Sequence, residues 1–232
     1  MRQIVLDTET TGIGHEQGHR VIEIGCLELI DRRLTGQEFH VYLNPDREIE
    51  AGAFRVHGIS TEFLQDKPRF IDIADDFMAF IKGAELIIHN APFDVGFLNA
   101  ELKHAKIKAT IESQCQILDT LVLAKRKHAG QRNNLDVLCK RYHVNHSNRQ
   151  LHGALLDAEL LAFVYLAMTG GQANLLIEDT QEQSLMVSRG QQVDNLTSNS
   201  PVVNATADEL EAHELFVQYI KKKSGVDLFN PM

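Results

Sequence analysis

The sequence predicts an α/β fold: a mixed sheet with helices on its faces, then a linker and a terminal helix. Three observations carry this expectation. The chain opens on a short run rich in Ile, Val and Leu. Two alternating segments joined by a tight polar turn come next, and after them helical and strand patterns alternate.

Residues 3–8 form the opening run and read as a central strand. Residues 20–30 alternate well enough for a second strand, and the turn Asp31-Arg32-Arg33 leads to a third over about 36–43, ending at Asn44-Pro45. So short a connection predicts antiparallel pairing. From Asp72 to Ile81 the spacing of Ile73, Phe77 and Phe80 is helical, and Gly83 stops it. Leu86-Ile87-Ile88-His89 reads as a fourth strand. Pro92 then sits where the first turn of a helix accepts proline, and that helix runs to about His104. A short strand at Gln116–Leu118 precedes helices over 119–127 and 134–141. Residues 153–168 are apolar nearly all round, which predicts a largely buried helix, ended by Thr169-Gly170-Gly171.

Past Ile177 the composition shifts. Residues 178–206 are rich in Gln, Ser, Asn and Thr without an aromatic residue, the pattern of a flexible linker. Thr206 and Glu209 then form a capping-box pair, with Asp208 in the first turn and Lys221-Lys222-Lys223 in the last. Leu210, Val217 and Ile220 make a stripe that Leu215 and Phe216 widen. A single helix on a linker cannot bury such a stripe, so it needs a partner or its own domain to pack on. The expected division is a domain over 1–171, a linker over 172–206 and a helical segment over 207–232.

A hydrophobic content of 44% in 232 residues supports a full core. No apolar run reaches the length of a membrane span, and no basic-then-apolar leader is present. Cys26, Cys115 and Cys139 are scattered and odd in number, which fits a reducing cytoplasm better than a disulfide framework. The net charge is −9, of which residues 1–170 carry −4 and the remaining 62 carry −5. Lys125-Arg126-Lys127, with Arg132, Arg141 and Arg149 following, suits either a phosphate track or a solvated helix face. Charge alone neither supports nor excludes a nucleic-acid substrate.

Asp7 and Glu9 lie at the end of the first strand. Alternation puts both on one face and Leu6 and Thr8 on the other. Two like charges so placed repel each other, and a divalent cation relieves this because Mg²⁺ and Mn²⁺ favour carboxylate oxygens. Two exposed acids at a strand end are the alternative. Asp94 follows the fourth strand at a helix start, where it either joins a site or merely complements the helix dipole. Asp157 sits among Ala154, Ala158, Leu160 and Leu161 with no Lys or Arg near in sequence, so a buried carboxylate there requires a partner. Glu159, two residues on, faces elsewhere. His152 precedes Asp157 by five residues, about 140° apart on a regular helix by the 3.6-residue period. It reaches the same site only from the loop entering the helix, which Gly153 permits; otherwise it is a surface residue.

Taken in order, Asp7-x-Glu9, Asn90-x-x-Phe93-Asp94 and His152-x-x-x-x-Asp157 resemble the three exonuclease motifs of the DEDD family, histidine subtype. Val5-Leu6-Asp7-Thr8-Glu9-Thr10-Thr11-Gly12, Val56-His57-Gly58-Ile59 and Leu151-His152-Gly153-Ala154-Leu155-Leu156-Asp157-Ala158 resemble its proofreading branch. The likeness covers about residues 2–171 and is looser beyond. It implies a ribonuclease-H-like fold with a mixed five-stranded sheet. It also implies a 3′→5′ exonuclease that removes mismatched 3′-terminal nucleotides from single-stranded DNA ends as 5′-mononucleotides. Asp7, Glu9, Asp94 and Asp157 would hold two divalent cations, Mg²⁺ or Mn²⁺, roughly 4 Å apart. Asp7 would bridge them, Glu9 and Asp157 would serve the one beside the attacking water, and Asp94 the other, at the departing 3′ oxygen. His152 would be the general base, since an imidazole ordinarily titrates near neutrality. Asp7, Thr8, Glu9, His57, Phe93 and Asp157 would contact the terminal nucleotide.

The same resemblance implies that 207–232 docks on a polymerase catalytic subunit and leaves a place for a small accessory subunit on the nuclease domain. Gln172-Ala173-Asn174-Leu175-Leu176-Ile177 resembles the Gln-led motif that binds a sliding clamp, though Ile177 stands where an aromatic is common. An RNA-trimming exonuclease would use the same five site residues but would not need a tethered docking helix. A non-catalytic adaptor on the same fold should have lost a ligand, and none is lost.

Overall fold

A computed structural model describes residues 1–146, 151–170 and 206–224. Its strands are β1 (Arg2–Thr10), β2 (Val21–Ile30), β3 (Arg33–Tyr42), β4 (Glu85–Ile88) and β5 (Gln116–Asp119). Its helices are α1 (Ala51–His57), α2 (Thr61–Leu64), α3 (Phe70–Ile81), α4 (Ala91–His104), α5 (Ile111–Gln114), α6 (Thr120–Lys127), α7 (Leu135–Arg141), α8 (Ala154–Thr169) and α9 (Ala207–Ser224). The chain divides into two compact units, Met1–Leu176 and Ile177–Met232.

In the first unit the sheet order is β3-β2-β1-β4-β5. β1–β2 and β2–β3 pair antiparallel, while β4 runs parallel to β1 and to β5, so the sheet is mixed as the alternating pattern predicts. β3 begins at Arg33 rather than 36. Asp31 and Arg32, with φ of 48° and 66°, make the whole turn, the left-handed two-residue hairpin geometry that suits twisted strands. α1 and α2 were not expected between Pro45 and Phe70. At seven and four residues they are too short for a helical period to show. Gly58, with φ of 70°, closes α1 in the left-handed conformation that glycine adopts without strain.

Strand alternation decides what each layer contains. Ile4 and Leu6 face α3 and α4 in a core that includes Phe70, Phe77, Phe97 and Leu98. Val5, with Leu29 and Ile87, faces α8 through Ala158, Leu161, Ala162 and Tyr165. α8 is apolar all round because its far side is covered too: Leu160, Val164 and Met168 pack on Ala124 of α6 and on Leu138 and Cys139 of α7. Its N-terminus lies on β2 at Gly25. A Cβ there would come within 2.3 Å of the Ala154 carbonyl carbon and the Leu155 nitrogen, so only glycine admits the helix this close.

In the second unit, α9 starts on the expected capping box. Glu209 Oε2 accepts from the Thr206 backbone N–H at 2.8 Å, and the Glu209 N–H donates to Thr206 Oγ1 at 3.4 Å. Leu210, Leu215 and Phe216 of the expected stripe are exposed. The sequence-predicted linker core and the hexapeptide 172–177 lie outside the described residues, as does Arg149. No helix among the described residues is long and apolar enough to cross a membrane.

Candidate active site

The site forms where the parallel strands β1 and β4 end and α4 and α8 begin. Asp7 and Glu9 leave β1 on the α8 face, in line with Val5, as alternation requires. Thr8 points the other way, toward α4, and its hydroxyl donates to Asp94 Oδ1 at 2.7 Å. Asp94 is 3% exposed in the first turn of α4. Burial pushes it up to about 7, with the Thr8 hydrogen bond opposing the shift and the charge of Asp119 adding to it. The turn before it is held by Asn90, whose φ is 69° and whose N–H donates to Asp119 Oδ1 at 3.2 Å.

Asp157 occupies the first turn of α8 and is 3% exposed, as its apolar neighbours predict. Its partner is His152, whose Nδ1 lies 3.4 Å from Asp157 Oδ2. His152 sits on the loop before α8, with Gly153 as the extended cap, so the five-residue spacing works for the reason anticipated. Glu9, His152 and Asp157 each offer a ligand atom, and these atoms lie within 4.8 Å of one another. Glu159 is exposed, on the side expected.

These residues line a cleft of about 270 Å³ that contains Asp7, Thr8, Glu9, Phe93, Asp94, His152 and Asp157. Asn90, which the second motif includes, lines it too, as do His89, Asn134, Leu135 and Asp136, which sequence reasoning missed. Two signals were available. His89 directly follows a strand, and Asn134 caps α7 by accepting from the Val137 N–H at 3.0 Å. His89 Nδ1 meets Thr120 Oγ1 at 2.9 Å, and burial holds the imidazole below its ordinary value. The basic cluster is partly spoken for, since Arg141 bonds Asn133, Gln131 and the Arg132 carbonyl and so braces the loop before α7.

A second hollow of about 310 Å³ adjoins the first, sharing Thr8, Glu9 and Phe93 and adding Gly12, Ile13, Ala53, Val56 and His57. His57 Nδ1 accepts from the Ile59 N–H at 3.0 Å, so in the neutral ring the proton is on Nε2. That nitrogen is buried without a well-formed hydrogen bond among the described residues. Burial also holds His57 below its ordinary value, against a raising influence from the Thr10 carbonyl. A buried N–H so weakly satisfied at the edge of a cleft calls for a reason.

Carboxylates are hard ligands suited to hard divalent cations, whereas the imidazole in the Glu9–His152–Asp157 group is a borderline donor. The raised Asp94 agrees with this, because a carboxylate that burial keeps near neutrality is one that a cation's charge would ionise.

Residues 4–165 match the RNase_T exonuclease family model. DNA polymerase III subunit epsilon of Escherichia coli (strain K12) is 50% identical over 232 residues, covering 97% of this chain and 95% of that protein. The chain belongs to the epsilon-subunit family of exonucleases. Its counterpart in Haemophilus influenzae (strain ATCC 51907 / DSM 11121 / KW20 / Rd) is 48% identical, covering 97% of this chain and 92% of that protein. Among solved structures, exonuclease X in complex with 5′ overhanging duplex DNA superposes with a TM-score of 0.57 at 25% identity, over 74% of this chain and 95% of that one. The ribonuclease-H-like fold expected from the motifs is therefore the fold present. As an epsilon-family exonuclease the chain is a 3′→5′ exonuclease acting in replication proofreading.

Proposed function

We propose that Asp7, Glu9, Asp94 and Asp157 hold two divalent cations, Mg²⁺ or Mn²⁺, and that His152 is the general base for hydrolysis of the terminal phosphodiester. The observation that supports this most is the approach of Glu9 to His152 and Asp157, more than 140 residues away in sequence, with ligand atoms within 4.8 Å of one another. When bound, such a cation pair lowers the pKa of the attacking water and neutralises charge on the departing 3′ oxygen. With Nδ1 turned to Asp157, Nε2 is the nitrogen of His152 that would take the proton from water. The His152 side chain is 43% exposed, so that proton has a path to solvent. The water oxygen bonds to phosphorus as the bond to the 3′ oxygen of the penultimate nucleotide breaks, and a nucleoside 5′-monophosphate leaves.

Thr8, His57 and Phe93 line the seat of the terminal nucleotide, and Asp7, Glu9 and Asp157 border its phosphate. The His57 Nε2–H supplies the donor there. A mismatched end unpairs more cheaply, by a few kcal/mol at most, so a site that accepts a single strand removes errors preferentially.

Asp94 provides a test independent of turnover. Its folded-state value lies above the ordinary 3.8, so between about pH 4 and 7 the metal-free folded protein keeps a proton that the unfolded chain has lost. Its contribution to stability therefore declines as pH rises through that window. A cation that binds the carboxylate must displace this proton. Mn²⁺ affinity measured by calorimetry should weaken about tenfold per unit below pH 7 and level off above it. An affinity that is flat from pH 5.5 to 8 would remove Asp94 from the ligand set.

The relatives are named as subunits of DNA polymerase III. For this chain the proposal is that 207–232 docks on the polymerase catalytic subunit, tethered by 172–206 to a nuclease domain over 1–171, in the cytoplasm. The exposed Leu210, Leu215 and Phe216 support the docking role. Gln172–Ile177 is assigned to the sliding clamp, and the nuclease domain offers a place for a small accessory subunit. The deciding experiment gives the purified chain and its Asp7→Ala variant 3′-mismatched DNA and matched RNA with Mn²⁺. Mononucleotides should leave the DNA faster, and Asp7→Ala should abolish release; a preference for RNA replaces proofreading with RNA trimming. Truncation after Gly171 should keep nuclease activity and lose co-purification with the polymerase subunit, and retained co-purification refutes the tether.

A further inference from the structure

The geometry points to Glu23 as the positioning residue for His152. This inference rests on the general-base reading of His152 and deepens it. Glu23 is a carboxylate only 2% exposed near the start of the apolar strand β2, outside the Glu9–His152–Asp157 group. It stands directly across from Glu9 in the β1–β2 register. Like charges opposite each other destabilise a sheet unless each has its own partners, so a retained Glu23 needs a reason.

Its partners supply that reason. Glu23 Oε2 accepts from the Ala154 backbone N–H at 3.1 Å. Ala154 is the first residue of α8, two positions after His152, and its N–H is one of the donors a helix start leaves unpaired. The other oxygen, Oε1, meets His40 Nε2 at 2.8 Å, and burial, with the carboxylate's charge adding to it, raises the neighbouring Tyr42 hydroxyl above its ordinary value. β3 thus holds Glu23, and Glu23 holds the start of α8. Upstream of His152 a second anchor exists, because the His152 N–H donates to the Val56 carbonyl at 3.0 Å. The half-exposed imidazole therefore hangs on a short span of backbone pinned at both ends, and Glu23 is the pin on the α8 side. A carboxylate is suited to this place because the positive end of the α8 dipole meets it.

The experiment measures kcat and KM on 3′-mismatched DNA with Mn²⁺, using the full chain and counting only folded molecules. Glu23→Leu fills the same space without an acceptor. Its kcat should fall on the order of tenfold to hundredfold with KM changed less than about twofold, the size of effect expected from a shift of about 1 Å. Glu23→Gln keeps an oxygen for the Ala154 N–H and should restore kcat to within about threefold of wild type. If Glu23→Leu does not fold, Glu23→Asp decides, since it keeps the charge but withdraws the carboxylate by about one bond length, and it should lower kcat about tenfold.

The same changes are then made in a His152→Ala background. A residue acting through His152 has nothing left to position there, so its effect should vanish. A loss that persists undiminished beside His152→Ala, or an unchanged kcat in folded Glu23→Leu or Glu23→Asp, overturns the inference while leaving the base assignment intact. Full activity in His152→Ala alone overturns the base assignment and the inference together.

Discussion

Asp157→Asn should lower kcat/KM on 3′-mismatched DNA by about 10²–10³-fold or more, the range seen when a principal electrostatic stabiliser is lost. The substitution keeps the shape of a side chain that is 3% exposed in the first turn of α8. What it removes is the negative charge that faces Glu9 and His152 within 4.8 Å. Thermal scans make the cause visible. A ligand that binds only the folded state raises the melting temperature, so Mn²⁺ should stabilise the wild-type chain and fail to stabilise Asp157→Asn. A variant that keeps both its activity and its Mn²⁺-dependent stabilisation would take Asp157 out of the metal site.

His152→Ala should give a loss of similar size with a different signature. Removing a general base costs about 10²–10⁴-fold in kcat. The four carboxylates remain, so the Mn²⁺-dependent rise in melting temperature should survive. His152 lies on a loop with its side chain 43% exposed, which leaves little fold stability to lose. Higher pH should recover part of the lost rate, because hydroxide in solution replaces the missing base. The pair of variants therefore separates holding the cations from moving the proton. Loss of Mn²⁺ stabilisation in His152→Ala would mean that the imidazole is chiefly a ligand, and the assignment of its role would change accordingly.

Much of this was legible from local rules. Two-residue alternation was enough to put Asp7 and Glu9 on one face and Thr8 on the other, and the two core clusters follow that division. The five-residue gap between His152 and Asp157 required the histidine to lie before the helix, and it does. What local pattern could not supply was anything that depends on which segments meet. The significance of Glu23 becomes visible only once α8 lies across β2, since in sequence it is one acid in an alternating strand. The same holds for His57, whose buried Nε2 depends on how α1 and β1 come together, and for His89 and Asn134, which also line the cleft. α1 and α2 escaped notice because they are shorter than the window in which a helical period can be recognised.

β1 serves two masters at once: its odd-numbered side chains supply the acids and its even-numbered ones the threonine that steadies Asp94. Sliding that strand by a single position would send Ile4 and Leu6 to the wrong layer and carry the acids out of the cleft with them. The packing of the two core layers and the placing of the acids are thus one event, and neither can be had without the other.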